Sequence, residues 1–195
     1  CGVLVAFAKE GQLNENDCKR ASEKIFSRGP DFNFSRFKLS NRLFLSQTVL
    51  SITGKPELNL DYTTSKNKRY EILFNGEIYN HIDIRIELES KLSGLRWRGR
   101  SDTETLLAAL SHWGIKSVLP RLNGMFAFAL WDLKKKTLTL ARDRLGEKPL
   151  YYGFKNNLLV FASELNAFEE VKDFTLEINR DILSLIHISE PTRLL

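Results

Sequence analysis

The chain is poor in soft metal ligands and has no disulfide framework: two cysteines, Cys1 and Cys18, and three histidines, His81, His112 and His187, stand in 195 residues. Two thiols cannot staple a small domain, and this few Cys and His do not make a structural zinc site. No apolar run reaches the roughly eighteen residues of a spanning helix, and the tripartite pattern of a signal peptide is missing. The chain therefore reads as cytoplasmic, with reduced thiols and no membrane association. Phosphate cradles are lacking as well. There is no Gly-x-Gly-x-x-Gly, no Gly-Gly, and Gly54-Lys55 is followed by Pro56 where a Walker loop carries Ser or Thr. No metal and no cofactor are expected in this stretch. The net charge of +5 does not make a nucleic-acid surface, because the basic residues are scattered. Their densest run, Lys134-Lys135-Lys136, falls between two apolar runs as a solvated hairpin turn would.

What is present begins at the first residue. A cysteine at a chain terminus carries its own base, because an α-amine with a pKa of about 7.7 to 8.0 is roughly a fifth to a third neutral near pH 7.4. Such an amine can take the thiol proton directly or through a water, so no catalytic histidine is needed. Residues 2 to 8, Gly-Val-Leu-Val-Ala-Phe-Ala, read as a central strand that would hold that terminus rigidly. Further strands are expected at 42–52, 70–74, 125–131, 137–141, 150–154 and 158–162, a pattern of stacked antiparallel sheets. Helices are expected at 83–92 and after Ser101, where Ser101-x-x-Glu104 reads as a capping box and Gly114 as the stop.

Two local signals admit two readings each. Asn75-Gly76 reads first as a turn ending the strand 70–74. The alternative is an oxyanion hole, with the Asn amide and a backbone N–H aimed at one small volume. Asp102, in the first turn of the second helix, is either a helix-start acid or an acceptor for a substrate ammonium.

Cys1-Gly2, Phe74-Asn75-Gly76-Glu77-Ile78-Tyr79-Asn80-His81 and Arg100-Ser101-Asp102-Thr103-Glu104 together resemble the class II glutamine amidotransferase domain of glutamine-hydrolysing asparagine synthetases. Arg28-Gly29-Pro30-Asp31, the run from Leu122 to Asp132, the run from Ala141 to Tyr152, and Ala162-Ser163-Glu164 extend the resemblance over residues 1 to 182. It implies an α+β fold, the four-layer αββα sandwich of N-terminal-nucleophile hydrolases. It also implies roles: Cys1 as nucleophile and base, Asn75 and Gly76 as oxyanion hole, Asp102 as the site for the α-ammonium of glutamine, and Glu77, Leu50 and Ile52 on the substrate-binding loops. In the family, ammonia passes to a linked synthetase domain that uses ATP and magnesium. That domain's pyrophosphate loop is absent from this sequence. Glutamine and the linked domain are the partners implied, and a homodimer is left open.

Two departures stand out. Where the family has Arg-Leu-Ser-Ile for binding glutamine, this chain has Val49-Leu50-Ser51-Ile52. Three readings stay open: the grip on the substrate α-carboxylate is weakened, or another arginine takes it over, Arg100 first with Arg42 and Arg98 as alternatives, or Val49 is simply a buried strand residue in a branch that captures the carboxylate elsewhere. Residues 183–195 are similar to the translation of a transposon-end adapter, so 1–182 is taken as the domain and the remainder as a tail. Two rival functions remain at this point: an inactive docking module of the same fold, and a hydrolase of some other amide.

Overall fold

The computed structural model describes residues 1–50, 63–172 and 174. The first sheet is built from β1 (Gly2–Ala8), β2 (Phe32–Lys38), β3 (Leu43–Val49), β7 (Tyr151–Lys155) and β8 (Leu158–Ala162). Its order is β2-β3-β1-β8-β7, which puts the strand following Cys1 in the middle. β4 (Tyr70–Ile78), β5 (Gly124–Asp132) and β6 (Thr137–Arg142) make the second sheet in that order. All strand pairs are antiparallel.

Side chains alternate across a strand, and this period of two sorts the core into layers. Val3, Val5, Leu43, Leu45 and Phe161 of the first sheet meet Leu73, Ala129 and Trp131 of the second. The opposite face of the first sheet, with Leu4, Ala6 and Phe44, packs on α1 (Glu15–Glu23) and α5 (Asn166–Glu169) through Cys18, Ala21 and Phe168. The outer face of the second sheet, with Ile72, Phe74, Phe128 and Leu130, packs on α2 (His81–Lys91) and α3 (Asp102–Trp113). A shorter α4 (Ile115–Val118) follows. The result is helix, sheet, sheet, helix: the expected αββα sandwich. β1 is buried on both faces, which is why it reads as one continuous apolar run.

Several local expectations are corrected. The strand expected to end at Phe74 runs to Ile78, so Asn75-Gly76 lies inside β4, paired with Ala127 and Phe126, and is not a turn. The capping box is half made. Ser101 Oγ accepts from the Thr103 N–H at 3.1 Å, but the Glu104 carboxylate turns to the N–H groups of Arg98 and Gly99, at 2.8 and 3.0 Å. α1 and β2 were not expected at all. α1 buries only Cys18 and Ala21, too thin a stripe to show periodicity, although Asn14 caps it by accepting from Asn16 and Asp17 N–H. In β2 the inward positions include Arg36 and Lys38, which break the apolar alternation and pair with Glu71, buried between the sheets. The turn at Lys134–Lys136 is as expected, and the Asp132 carboxylate accepts from the Lys134 and Lys135 N–H groups.

Candidate active site

Cys1 is held from two sides. Its α-amine donates to the Arg28 carbonyl at 2.8 Å, and Arg28 Nε donates back to the Cys1 carbonyl at 3.1 Å. The other end of that guanidinium is fixed on Glu164 at 2.5 Å. The next link is Val3, whose N–H donates to Ser163 Oγ at 3.0 Å while its carbonyl accepts from the Ser163 N–H at 2.9 Å. Gly29 makes the clamp possible. A Cβ there would stand 2.5 Å from the backbone N and C of Val49, so only glycine lets the Arg28–Pro30 turn lie against the end of β3. Arg28, Ser163 and Glu164 had no role assigned from sequence. Their signal was present in the runs Arg28-Gly29-Pro30-Asp31 and Ala162-Ser163-Glu164, but nothing local connects residues so far apart in the chain.

Burial is the first cause that pushes the Cys1 amine below its ordinary pKa, followed by the nearby cations of Arg28 and Lys148. Lys148 is delivered by a loop wound around one carboxylate. Asp143 accepts from the N–H groups of Leu145, Glu147, Lys148 and Phe126 at 2.9 to 3.1 Å. Burial opposes ionisation of Asp143, but the N–H groups of Glu147, Lys148, Phe126 and Gly146 hold its pKa below the usual carboxylate value. The Cys1 thiol lies 4.0 Å from the Leu50 carbonyl, so Leu50 meets that thiol through its backbone. Ile52, with Ser51, lies outside the described residues.

Asn75 stands on the facing sheet. By the alternation that sends Leu73 into the layer between the sheets, its side chain also points inward; it is buried, and its Nδ2 has no hydrogen-bond partner among the described residues. A buried amide donor without an acceptor is costly and rare, and such a group commonly marks a site that a ligand completes. The backbone adds a second donor. β4 is an edge strand whose outward N–H groups at Phe74 and Ile78 are taken up by Gln47 and Asp102, at 3.2 and 2.9 Å. Alternation puts the Gly76 N–H on that same edge, between the two. Glycine is required here, because a Cβ would lie 2.2 Å from the Met125 carbonyl oxygen.

Asp102 caps this edge from the start of α3. Burial raises its pKa above the ordinary carboxylate value, partly offset by the Ile78 and Thr103 N–H groups and by His81, with Glu77 adding to the rise. Glu77 itself is exposed at the end of β4. The segment leading to Asp102 is gripped by Arg85, which donates to Thr105 Oγ1 and to the Gly99 and Ser101 carbonyls at 2.6 to 2.9 Å.

Of the arginines considered as substitutes at Val49, Arg42 is excluded. It donates to the Ala8 and Lys9 carbonyls, at the end of β1 away from Cys1. Arg98 is engaged with Glu104 and the Thr64 carbonyl. Arg100 is exposed and forms no hydrogen bond or ion pair among the described residues.

An αββα sandwich that presents a clamped cysteine from a central strand is the architecture of the N-terminal-nucleophile hydrolases. A family profile described as "Glutamine amidotransferase domain" matches residues 1–193, and the chain belongs to that family. It is 33% identical over 199 residues to asparagine synthetase (glutamine-hydrolyzing) 3 of Bacillus subtilis (strain 168), covering 99% of this chain and 31% of the relative. Similarity to asparagine synthetase (glutamine-hydrolyzing) 1 of the same organism is 34% over 213 residues, with 100% and 31% covered. The chain thus corresponds to the glutamine amidotransferase domain and spans about 31% of the length of these relatives. Among solved structures, glutamine phosphoribosylpyrophosphate amidotransferase from B. subtilis superimposes with a TM-score of 0.68 at 20% identity, covering 87% of this chain and 43% of that one, a likeness of fold.

Proposed function

We propose that this domain hydrolyses the side-chain amide of glutamine to glutamate and ammonia. The observation that carries the reading is the Cys1 amine, lowered in pKa and fixed on the Arg28 carbonyl, in a chain of the glutamine amidotransferase family. The neutral amine takes the thiol proton and sulfur attacks the amide carbon. Asn75 Nδ2 and the Gly76 N–H receive the oxyanion. The amine then returns its proton to the departing nitrogen, ammonia leaves, and water hydrolyses the γ-glutamyl thioester to regenerate the thiol. Asp102 receives the substrate ammonium, Glu77 flanks it, and Leu50 lines the approach. In the longer protein the ammonia would serve ATP-dependent amidation of aspartate or a related carboxylate; ATP and magnesium would belong to that linked part.

The test is ammonia release from glutamine and from other primary amides, by the wild-type domain and Cys1→Ala. Glutamine-selective release that Cys1→Ala abolishes is expected. Release that persists without the thiol would overturn the mechanism. One observation favours a second reading: Val49 brings no charge to the inner face of β3 near Cys1, as an inactive docking module would allow. A domain that releases no ammonia from any amide would be that module. Alkylation by iodoacetamide at neutral pH counts the available Cys1, because burial, with Asp17 and Glu15, pushes the Cys18 thiol up to about 12 and keeps it inert.

A further inference from the structure

We propose that Gln47 is a positioning residue for the hydrolysis, setting the separation between the nucleophile's sheet and the strand that carries the oxyanion donors. The proposal rests on the hydrolytic reading above. Cys1 and Asn75 stand on different sheets, joined between them by apolar side chains that pack without directional preference. Such packing resists separation but does little to fix how far one sheet has slid over the other. Hydrogen bonds fix it.

Gln47 supplies two at the place where they matter. On its own sheet it pairs in register with Val3, two residues from Cys1. Its side chain crosses to the other sheet, where Nε2 donates to the Phe74 carbonyl at 2.9 Å and Oε1 accepts from the Phe74 N–H at 3.2 Å. Phe74 is the residue before Asn75. The amide of Gln47 thus behaves as one residue of an added strand on the free edge of β4, with both backbone groups of Phe74 satisfied and the whole pair buried. The other polar link between the sheets among the described residues, from Arg36 and Lys38 to Glu71, lies four residues earlier on β4, farther from Asn75. A displacement of about 1 Å in a catalytic group can cost on the order of a hundredfold in rate. Removing the clamp should therefore act on turnover more than on capture, since the Arg85 network holds the start of α3, where Asp102 sits, independently of Gln47.

Two variants test this, each measured for kcat, KM and melting temperature beside wild type. Gln47→Met fills the same space without either hydrogen bond. It is expected to lower kcat by about tenfold or more with KM within about threefold, while iodoacetamide alkylates Cys1 at the wild-type rate because thiol and amine are held within their own sheet. A loss of folded protein alone would lower kcat while opening Cys18 to alkylation, because burial is what keeps that thiol inert. Gln47→Glu gives a readout that packing cannot supply. Ionised, the introduced carboxyl can accept from the Phe74 N–H but faces its carbonyl without a proton; protonated, it can make both bonds as glutamine does. The ratio of variant to wild-type kcat should therefore rise as pH falls. The titration of Cys1 cancels in that ratio when iodoacetamide alkylates both proteins with the same pH profile, which is measured alongside. The neighbours of position 47 in its own sheet, Val3, Phe34, Leu45 and Val49, do not titrate, and the carboxylates met along β4, Glu71 paired with Arg36 and Lys38 and Asp102 on the Ile78 N–H, are common to both proteins. A Gln47→Met enzyme with unchanged kcat, a KM effect in place of a kcat effect, or a ratio flat with pH each overturns the proposal while glutamine hydrolysis stands. A wild-type domain unable to hydrolyse glutamine removes the hydrolytic reading and this one with it.

Discussion

At Cys1 the amine must be neutral to accept the thiol proton, so kcat/KM should rise with pH through the amine's pKa. Burial, then Arg28, then Lys148 lower that pKa, so the acid limb should lie below the ordinary value of about 8. Lys148→Met takes away one cation and should move the limb to higher pH; a profile that stays put would show that Lys148 does not act on the amine. Asn75→Ala should reduce kcat by about a hundred- to a thousandfold with a smaller effect on KM, as expected of a donor used in the transition state. Asp102→Asn should instead raise KM. It also carries a stability signature of the opposite sign. A buried acid whose pKa is raised is favoured in its protonated form, so at pH 7 the charged Asp102 costs stability that is recovered as pH falls through its pKa. Asp102→Asn should therefore melt no lower than wild type at pH 7, and any advantage should vanish in acid. The proposal that Arg100 takes the substrate carboxylate in place of an arginine at Val49 predicts that Arg100→Ala raises KM for glutamine by an order of magnitude or more, the loss of about 1.5 to 3 kcal/mol in a charge-assisted bond. An unchanged KM would exclude Arg100.

Among the elements, β4 bears the most constraint. Its outward edge feeds Gln47 and Asp102, its inward face presents Asn75, and its other edge approaches β5 so closely at Gly76 that no Cβ fits. Gly76→Ala must part the two strands, an overpacking cost of roughly 3 kcal/mol, which would lower the melting temperature by on the order of 10 °C. Circular dichroism melting tests this, and a shift of a degree or two would mean that β5 yields freely. The same reach explains the misreading of Asn75-Gly76. In isolation the pair is a turn signal, and only pairing with Ala127 and Phe126 keeps it extended.

At the scale of the molecule, the described residues already close three core layers, from Val3 in the middle to Phe168 on one side and Leu110 on the other. Phe174 is the last described contributor, packed edge-on to Phe168 with ring centroids 5.6 Å apart. Removing residues 183–195, the adapter-like tail, should leave the melting temperature and glutamine hydrolysis within error. A marked loss of either would make that tail part of the fold.

The sequence by itself determined the strands with unbroken apolar runs, β1, β5 and β8, because a strand buried on both faces needs no partner's identity to be recognised. It also determined the family, since long ordered runs specify it, and singled out Cys1, where a nucleophile and a base would share one residue. Tertiary structure alone decided what surrounds that residue. Arg28 reaches Cys1 across 27 positions and Gln47 reaches Phe74 across another 27, while Lys148 arrives on a loop organised by Asp143. Hydrogen bonds and fields act over a few ångströms of space and are blind to chain distance, so no local pattern of residues could have announced them.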